Sequence, residues 1–196
     1  MWDKRYNQEN YVYGKEPNAF LASIDLSAFK GEVLCLAEGE GRNAVYLAQQ
    51  GFEVTAVDQS AVGLKKAEKL AGERGVSIHT EQADLAGYHI EPGHWDGIVS
   101  IFGHFPPPLR QRIHGEVVKG LKPGGFLILE AYNKHQLAYG TGGPPVKDLL
   151  YSLEELRADF GGQFDYHIAR ETEREVMEGQ FHTGTGAVVR IFAVKK

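Results

Sequence analysis

The chain has 196 residues, 26 acidic against 21 basic, and a formal net charge of −5, a balance that argues against a protein gripping phosphate backbones over a broad face. Hydrophobic residues at 42% and charged residues at 24% describe a globular chain able to bury one sizeable core. No apolar run approaches the roughly 20 residues that span a bilayer, the polar start MWDKRYNQEN has no secretory apolar region, and a lone Cys35 allows neither an intrachain disulfide nor a zinc cluster. The expectation is a cytoplasmic protein of one domain, residues 1–196, with no membrane or nucleic-acid partner.

Residues 1–20 carry Trp2, Tyr6, Tyr11, Tyr13 and Phe20, more rings than a solvated leader needs, so this segment is expected to pack on the domain. Gly14 to Asn18 is turn chemistry, and Ala19 to Phe29 reads as a helix. Val33, Leu34 and Leu36 then mark a short buried strand, with Cys35 as a small core residue. The pattern breaks at Gly39-Glu40-Gly41 and restarts at Arg42 with Ala44, Val45, Leu47 and Ala48 at helical spacing. Strand, glycine turn and helix make the first half of a βα nucleotide-binding unit, in which glycine lets backbone approach a ligand.

A second strand, Phe52 to Val57, ends in Asp58, 19 residues beyond Gly39, where a carboxylate accepts both hydroxyls of a ribose. Ser60 caps a helix running to Glu73, and Lys65, Lys66 and Lys69 on it read as a solvated face. A third strand near Val76 to Thr80 leads into Gln82-Ala83-Asp84-Leu85, and a fourth, Gly97 to Ile101, runs out into Phe102-Gly103-His104-Phe105. Pro106 to Pro108 read as a stiff polyproline-like segment, followed by a helix from Arg112 to Gly120. Leu121 to Gly125 is a tight turn feeding a fifth strand, Phe126 to Leu129.

Residues 133–146 form a glycine- and proline-rich loop at a strand's carboxyl end, the face where substrates are shaped, with Tyr132, His135 and Tyr139 at hand. Ser152 to Leu156 matches a capping box opening a helix to Phe160. Two strand-like runs close the chain, Phe164 to Glu175 and Ala187 to Val194, joined by a hairpin-like connection, Met177 to Gly186, that carries His182.

The GEGRNAVYLA run, the LKPGG turn after the WDGIVS strand, and the acids at two strand ends resemble the class I S-adenosylmethionine-dependent methyltransferases, over roughly Gly31 to Glu130. GEGRNAVYLA and WDKRYNQENYVYG look most like small stand-alone members related to tellurite and thiopurine methyltransferases. The pattern departs from the family at Cys35, where an acid is usual, and at Ala37, which replaces the first of three glycines.

The resemblance implies an α/β fold: a Rossmann-like, seven-stranded, mostly parallel sheet with an antiparallel C-terminal strand and helices on both faces. It implies S-adenosylmethionine as cofactor, with residues 1–20 folded across it as a lid. Arg5 would meet the cofactor carboxylate and Glu38 its ammonium. Gly39, Gly41 and Asn43 would line the turn, and Asp58 and Gln59 the ribose. Asp84 would take the adenine amino group, the Leu85 N–H a ring nitrogen, and Ile101 would wall the pocket. Where family members acting on amino nitrogens of bases or glutamine carry Asn/Asp-Pro-Pro-aromatic, this chain has Gly103-His104-Phe105-Pro106, which disfavours that substrate class.

The acceptor is therefore expected to be a small molecule, such as a thiol, selenium or tellurium species. His104 and His135 are candidate bases for a hydroxyl acceptor, and His104 is equally a candidate structural histidine. Two competing readings are a cofactor-binding module without catalysis and an NAD-dependent oxidoreductase. Either a monomer or a homodimer fits, and no metal site is expected.

Overall fold

The computed structural model describes residues 2–179 and 183–196; His182, expected in the last hairpin, lies outside them. Seven strands form one sheet: β1 (Glu32–Leu36), β2 (Glu53–Asp58), β3 (His79–Gln82), β4 (Trp95–Ile101), β5 (Leu121–Tyr132), β6 (Phe164–Met177) and β7 (Thr183–Lys195). Their order is β3-β2-β1-β4-β5-β7-β6. The first five strands run parallel, while β7 pairs antiparallel with both β5 and β6. This is the expected Rossmann-like sheet with its antiparallel closing pair.

Alternation along the strands sorts the core into two layers, because successive side chains leave a sheet on opposite faces. Leu34, Leu36, Ile98, Leu127 and Leu129 meet Ile113 and Val117 of α5 (Pro107–Gly120) and Leu156 and Phe160 of α6 (Leu153–Phe160) on one face. Val33, Cys35, Val54, Ala56 and Ile128 face the other way. There they meet α2 (Ala19–Ala22), α3 (Arg42–Gln49) and α4 (Ala61–Glu73) through Leu21, Ala44, Leu47 and Leu64. A further short helix, α1 (Trp2–Tyr6), lies before this frame and contacts α4.

Four boundaries differ from the sequence reading, each for a local reason. The helix expected over Ala19–Phe29 stops at Ala22, since Ile24 and Leu26 are both buried two residues apart, a spacing that a helix cannot put on one face. Pro107 and Pro108 do not extend a polyproline segment. They form the first turn of α5, where a missing N–H costs nothing, and Pro106 is the extended residue before it. Val76 donates to the Ala71 carbonyl and closes α4, so β3 begins only at His79. The turn at 121–125 is an outpouching within β5, across which the β4 partners jump from Trp95↔Leu121 to Gly97↔Phe126.

The capping box at Ser152 is present, with the Ser152 side chain accepting from Glu155 N–H and the Glu155 carboxylate accepting from Ser152 N–H. Beyond the Tyr132↔Val188 pair, β7 and β6 continue as a two-stranded ribbon past the carboxyl end of β5. At that end of the sheet Gly179, just after the β6 side of the ribbon, lies against Val12 and Tyr13 of the N-terminal segment.

Gly41 joins the frame to the turn it carries. It caps α3 in the left-handed region (φ 88°), and a Cβ there would overlap the Ala67 methyl of α4. Gly41→Ala is expected to cost about 2–4 kcal/mol from the backbone conformation and the clash together. A chemical denaturation series reads that loss directly, and an unchanged midpoint would refute the packing account.

Candidate active site

The crevice opens at the carboxyl ends of β1 and β4, where the chain order reverses and open α/β sheets place their ligands. Two non-glycine residues adopt left-handed backbone there, Ala37 (φ 53°) after β1 and Phe102 (φ 55°) after β4. Such conformations persist only where surrounding contacts impose them, and they cluster at functional sites. Ala37 stands where the family pattern has glycine, and its positive φ explains that preference.

Between Ala37 and α3 the turn is held by carboxylates. Glu38 Oε1 accepts from the N–H groups of Asn43 (2.9 Å) and Ala44 (2.8 Å), so the first turn of α3 is capped from within the chain. Burial pushes the Glu38 carboxyl up to about 7, and the neighbouring Asp58 adds to the effect against the pull of Arg42 and these amides. Asp58 is 7% exposed at the end of β2. Its Oδ2 accepts from Gly39 N–H at 2.9 Å and its Oδ1 from Ser60 N–H at 2.8 Å, leaving each oxygen further acceptor capacity. Burial raises its pKa as well. Two carboxylates thus flank the turn between β1 and α3.

The remaining expected contacts sort by position. Gly39 (φ 64°) lines the turn, whereas Gly41 is spent on helix packing. Asn43 is buried, and its Oδ1 accepts from Asn18 N–H at 2.9 Å, which ties α3 to the N-terminal segment. Gln59 and Asp84 are exposed at the rim, Asp84 forming a local turn through Ala86 N–H at 2.8 Å. Leu85 is buried and its carbonyl accepts from Arg112, while Ile101 closes the end of β4 at 8% exposure. Arg5 is exposed, its guanidinium 4.8 Å from the Trp2 ring centre and its Nη1 donating to the Tyr13 hydroxyl at 2.9 Å.

His104 lies in the wall rather than in the mouth. Its Nδ1–H donates to the Leu149 carbonyl at 2.7 Å, and its Nε2 accepts from Tyr132 N–H at 3.4 Å. Burial pushes its pKa down to about 4. With both nitrogens used by backbone and the ring neutral near pH 7, it is arranged as a structural histidine, not as a base. His135 is exposed, on the 3-10 turn Lys134–Ala138 that begins the 133–146 loop. The loop itself is pinned to β7: Gln136 Oε1 accepts from Ala187 N–H (2.8 Å), and Thr141 Oγ1 donates to the Thr185 carbonyl (2.6 Å).

Several contributors were not singled out as site residues. Glu40 Oε2 accepts from Val12 N–H (2.8 Å) and Tyr13 N–H (3.4 Å), fastening the N-terminal segment over the turn. Lys66 pairs with Glu40 Oε1 at 2.5 Å and donates to the carbonyls of Gln8 and Asn10. Asp3 accepts from Ser60 Oγ at 2.5 Å, at the start of α4.

On the opposite side, Glu130 at 0% exposure accepts from Asn18 Nδ2 (2.8 Å), Arg174 Nη2 (2.5 Å) and Arg190 Nε (2.5 Å). Glu178 accepts from Arg42 Nη2 and Arg174 Nη2, each at 2.5 Å, so the β6–β7 ribbon is bolted to the first residue of α3. The only sequence signal for this network is charge placed among apolar strand residues. Among the described residues no cluster of side chains suits a metal ion, and no helix is long and apolar enough to cross a membrane.

Residues 33–125 match the family model described as "Methyltransferase domain". The chain is 31% identical over 137 residues to the glycine/sarcosine N-methyltransferase of Halorhodospira halochloris, covering 67% of this chain and 48% of that protein. It is 30% identical over 113 residues to the ubiquinone biosynthesis O-methyltransferase of Rickettsia akari, covering 58% and 45%. The chain thus spans about half the length of the curated relatives it matches. Among solved structures, TehB from Haemophilus influenzae superposes with a TM-score of 0.76 at 18% identity, covering 100% of this chain and 66% of that one. A protein studied for the conversion of a disulfide bond into a thioacetal group during echinomycin biosynthesis superposes at 0.78, also at 18% identity, covering 100% and 90%. At such identities the superpositions speak for the shared fold.

A direct check of the wall is available in solution. Nitrogen-resolved NMR of the histidines is expected to show His104 as the neutral Nδ1–H tautomer from pH 8 down to about 5, titrating only near 4. A His104 titration close to 6.5 would mean that the ring is not buried as described.

Proposed function

We propose that this protein is an S-adenosylmethionine-dependent methyltransferase acting on a small-molecule acceptor. The observation that carries the reading is the internal cap on α3. In dinucleotide-binding folds the free N–H groups at this helix start receive a pyrophosphate. Here Glu38 already occupies them, and Asp58 stands beside it. A crevice lined by two carboxylates repels a pyrophosphate and suits a ligand bearing an ammonium and a sulfonium, which disfavours the nicotinamide reading.

The residues present fit that cofactor. Glu38 offers its carboxylate to the methionine ammonium, and Asp58 offers both oxygens to the ribose diol. The Asp84–Leu85 rim takes the adenine edge, with Ile101 as apolar wall. When bound, the cofactor supplies an electrophilic methyl group on sulfur, which an acceptor displaces in line. The protein's share is orientation and exclusion of water. The segment 2–18, fastened through Glu40, Lys66 and Asp3, is the lid over the crevice, and the 133–146 loop shapes the acceptor side.

With His104 neutral and engaged, an acceptor that is already a nucleophilic anion at neutral pH is favoured. A thiolate, a selenium species or a tellurium species meets that condition, whereas a phenol or alcohol would need a base such as the exposed His135. The methyltransferase reading is preferred to a binding module without catalysis because the acceptor side is a constructed wall, with the loop pinned to β7 through Gln136 and Thr141.

Calorimetry with S-adenosylmethionine, S-adenosylhomocysteine and NAD tests the cofactor. Saturable binding of the first two is expected, weakened at least about 100-fold by Asp58→Ala through loss of two charge-assisted hydrogen bonds, with none for NAD. Binding of NAD alone, or of no nucleotide, would overturn the reading. Formation of S-adenosylhomocysteine on addition of thiols, selenite or tellurite separates an enzyme from a binding module.

The Glu38 carboxyl makes the affinity pH-dependent. Its pKa of about 7 lies above that of an unfolded glutamate, so protonation stabilises the free protein as pH falls, and that stability is lost as pH rises through 7. Ammonium binding needs the ionised form. Affinity for S-adenosylhomocysteine is therefore expected to fall by up to about tenfold per pH unit below 7, with proton release visible as buffer-dependent heat. In Glu38→Gln the affinity should be lower and flat over the same range; a wild-type profile as flat as the mutant's would remove Glu38 from the ammonium contact.

A further inference from the structure

Tyr6, the last residue of α1, is 5% exposed. Its ring is boxed by Trp2, stacked at 5.7 Å between centroids, and by Tyr13, edge-on at 6.4 Å. The floor of the box is made of two glycines. A Cβ on Gly39 would lie 2.6 Å from the Tyr6 hydroxyl, and one on Gly63 would lie 3.1 Å from the ring. The hydroxyl therefore ends against the glycine turn, beside the carboxylate that holds Gly39.

Among the described residues that hydroxyl has no hydrogen-bond partner, and its oxygen is not sealed from solvent, so it is a donor still open to a ligand. Around it, burial first and then the charges of Asp58, Tyr13 and Glu40 disfavour the phenolate, with Arg5 opposing them, so the group stays a donor throughout the working pH range. Asp58 Oδ2 and Oδ1 each accept one backbone N–H and keep capacity to receive a hydroxyl. A diol hydroxyl that donates to Asp58 keeps lone pairs with which to accept, and the Tyr6 phenol is a donor close to that carboxylate.

Resting on the methyltransferase reading above, we propose that the Tyr6 hydroxyl donates a hydrogen bond to the ribose of the bound cofactor, so that the N-terminal segment supplies a ligand contact as well as a cover. The turn then contributes the acceptor, Asp58, and the lid contributes the donor. A Cβ on Gly39 would strike this hydroxyl, and one on Gly63 would strike the Gly39 carbonyl as well as the ring, so both glycines keep the approach to the sugar open. The helix that carries Tyr6 is anchored on both sides: Asp3 fixes its start on Ser60, and Lys66 receives the chain just after it.

The test compares Tyr6→Phe with wild type for two probes, S-adenosylhomocysteine and 5′-methylthioadenosine, which shares the nucleoside but lacks the amino-acid tail. The expected result is an equal loss for both, roughly fivefold to tenfold for one neutral hydrogen bond. Thermal midpoints without ligand should be unchanged in Tyr6→Phe, because the ring packing stays. Tyr6→Ala should lower both the midpoint and the affinity. Unchanged affinity in Tyr6→Phe overturns the proposal, and a loss for S-adenosylhomocysteine alone would move the contact to the amino-acid end and overturn it equally. If wild type binds and Asp58→Ala does not, only the Tyr6 assignment is at stake; if wild type binds neither probe, the cofactor reading fails and takes this inference with it.

Discussion

The structure turns on a carboxylate that closes a helix from inside its own turn. Glu38 takes the first free amides of α3, Asp58 takes the amide of Gly39, and between them the path from β1 to α3 has little remaining freedom. The arrangement has two consequences that pull apart. It satisfies backbone donors that would otherwise be exposed to a low-dielectric crevice. It also concentrates negative charge where burial resists it, which is why both acids are held above their ordinary range. The free protein carries that cost.

Around this turn the chain builds a frame from both of its ends. The N-terminal segment is fastened through Glu40, Asp3 and Lys66, and the β6–β7 ribbon through Glu178 on Arg42. Asn18 joins the two, reaching Glu130 and Glu178 with its amide while capping α2 with its carbonyl oxygen. Buried ionic groups of this kind add little net stability when complete, yet removing one partner leaves another charge stranded. Their effect is to allow one arrangement of strap, turn and ribbon and to penalise others.

How far the residues alone foretold this depends on the range over which each signal acts. Strand alternation, the glycine turn and the acids at strand ends are local patterns, and the individual strands and the helix after the glycine turn followed from them, while the seven-stranded sheet with its antiparallel closing strand followed from the family resemblance those motifs carry. Boundaries failed where a tertiary demand overrode a local one, as when Ile24 and Leu26 both turned inward and ended α2 early. His104 was ambiguous by letter because its role rests on the Leu149 carbonyl, 45 residues away. Glu40 and Glu178 were unreadable as anchors of the turn for the same reason: each acts through a partner that only the fold brings near.

The separation of those partners bears on how the molecule is made. Arg42 waits for Glu178 across 136 residues, and Asn18 waits for it across 160. As the chain emerges from a ribosome, the parallel strands can assemble while the guanidinium at the head of α3 and the Asn18 amide still lack Glu178. The network around the turn is completed only when the β6–β7 hairpin arrives, so a nascent chain passes through a stage that has its five parallel strands but not yet the ribbon that braces the crevice.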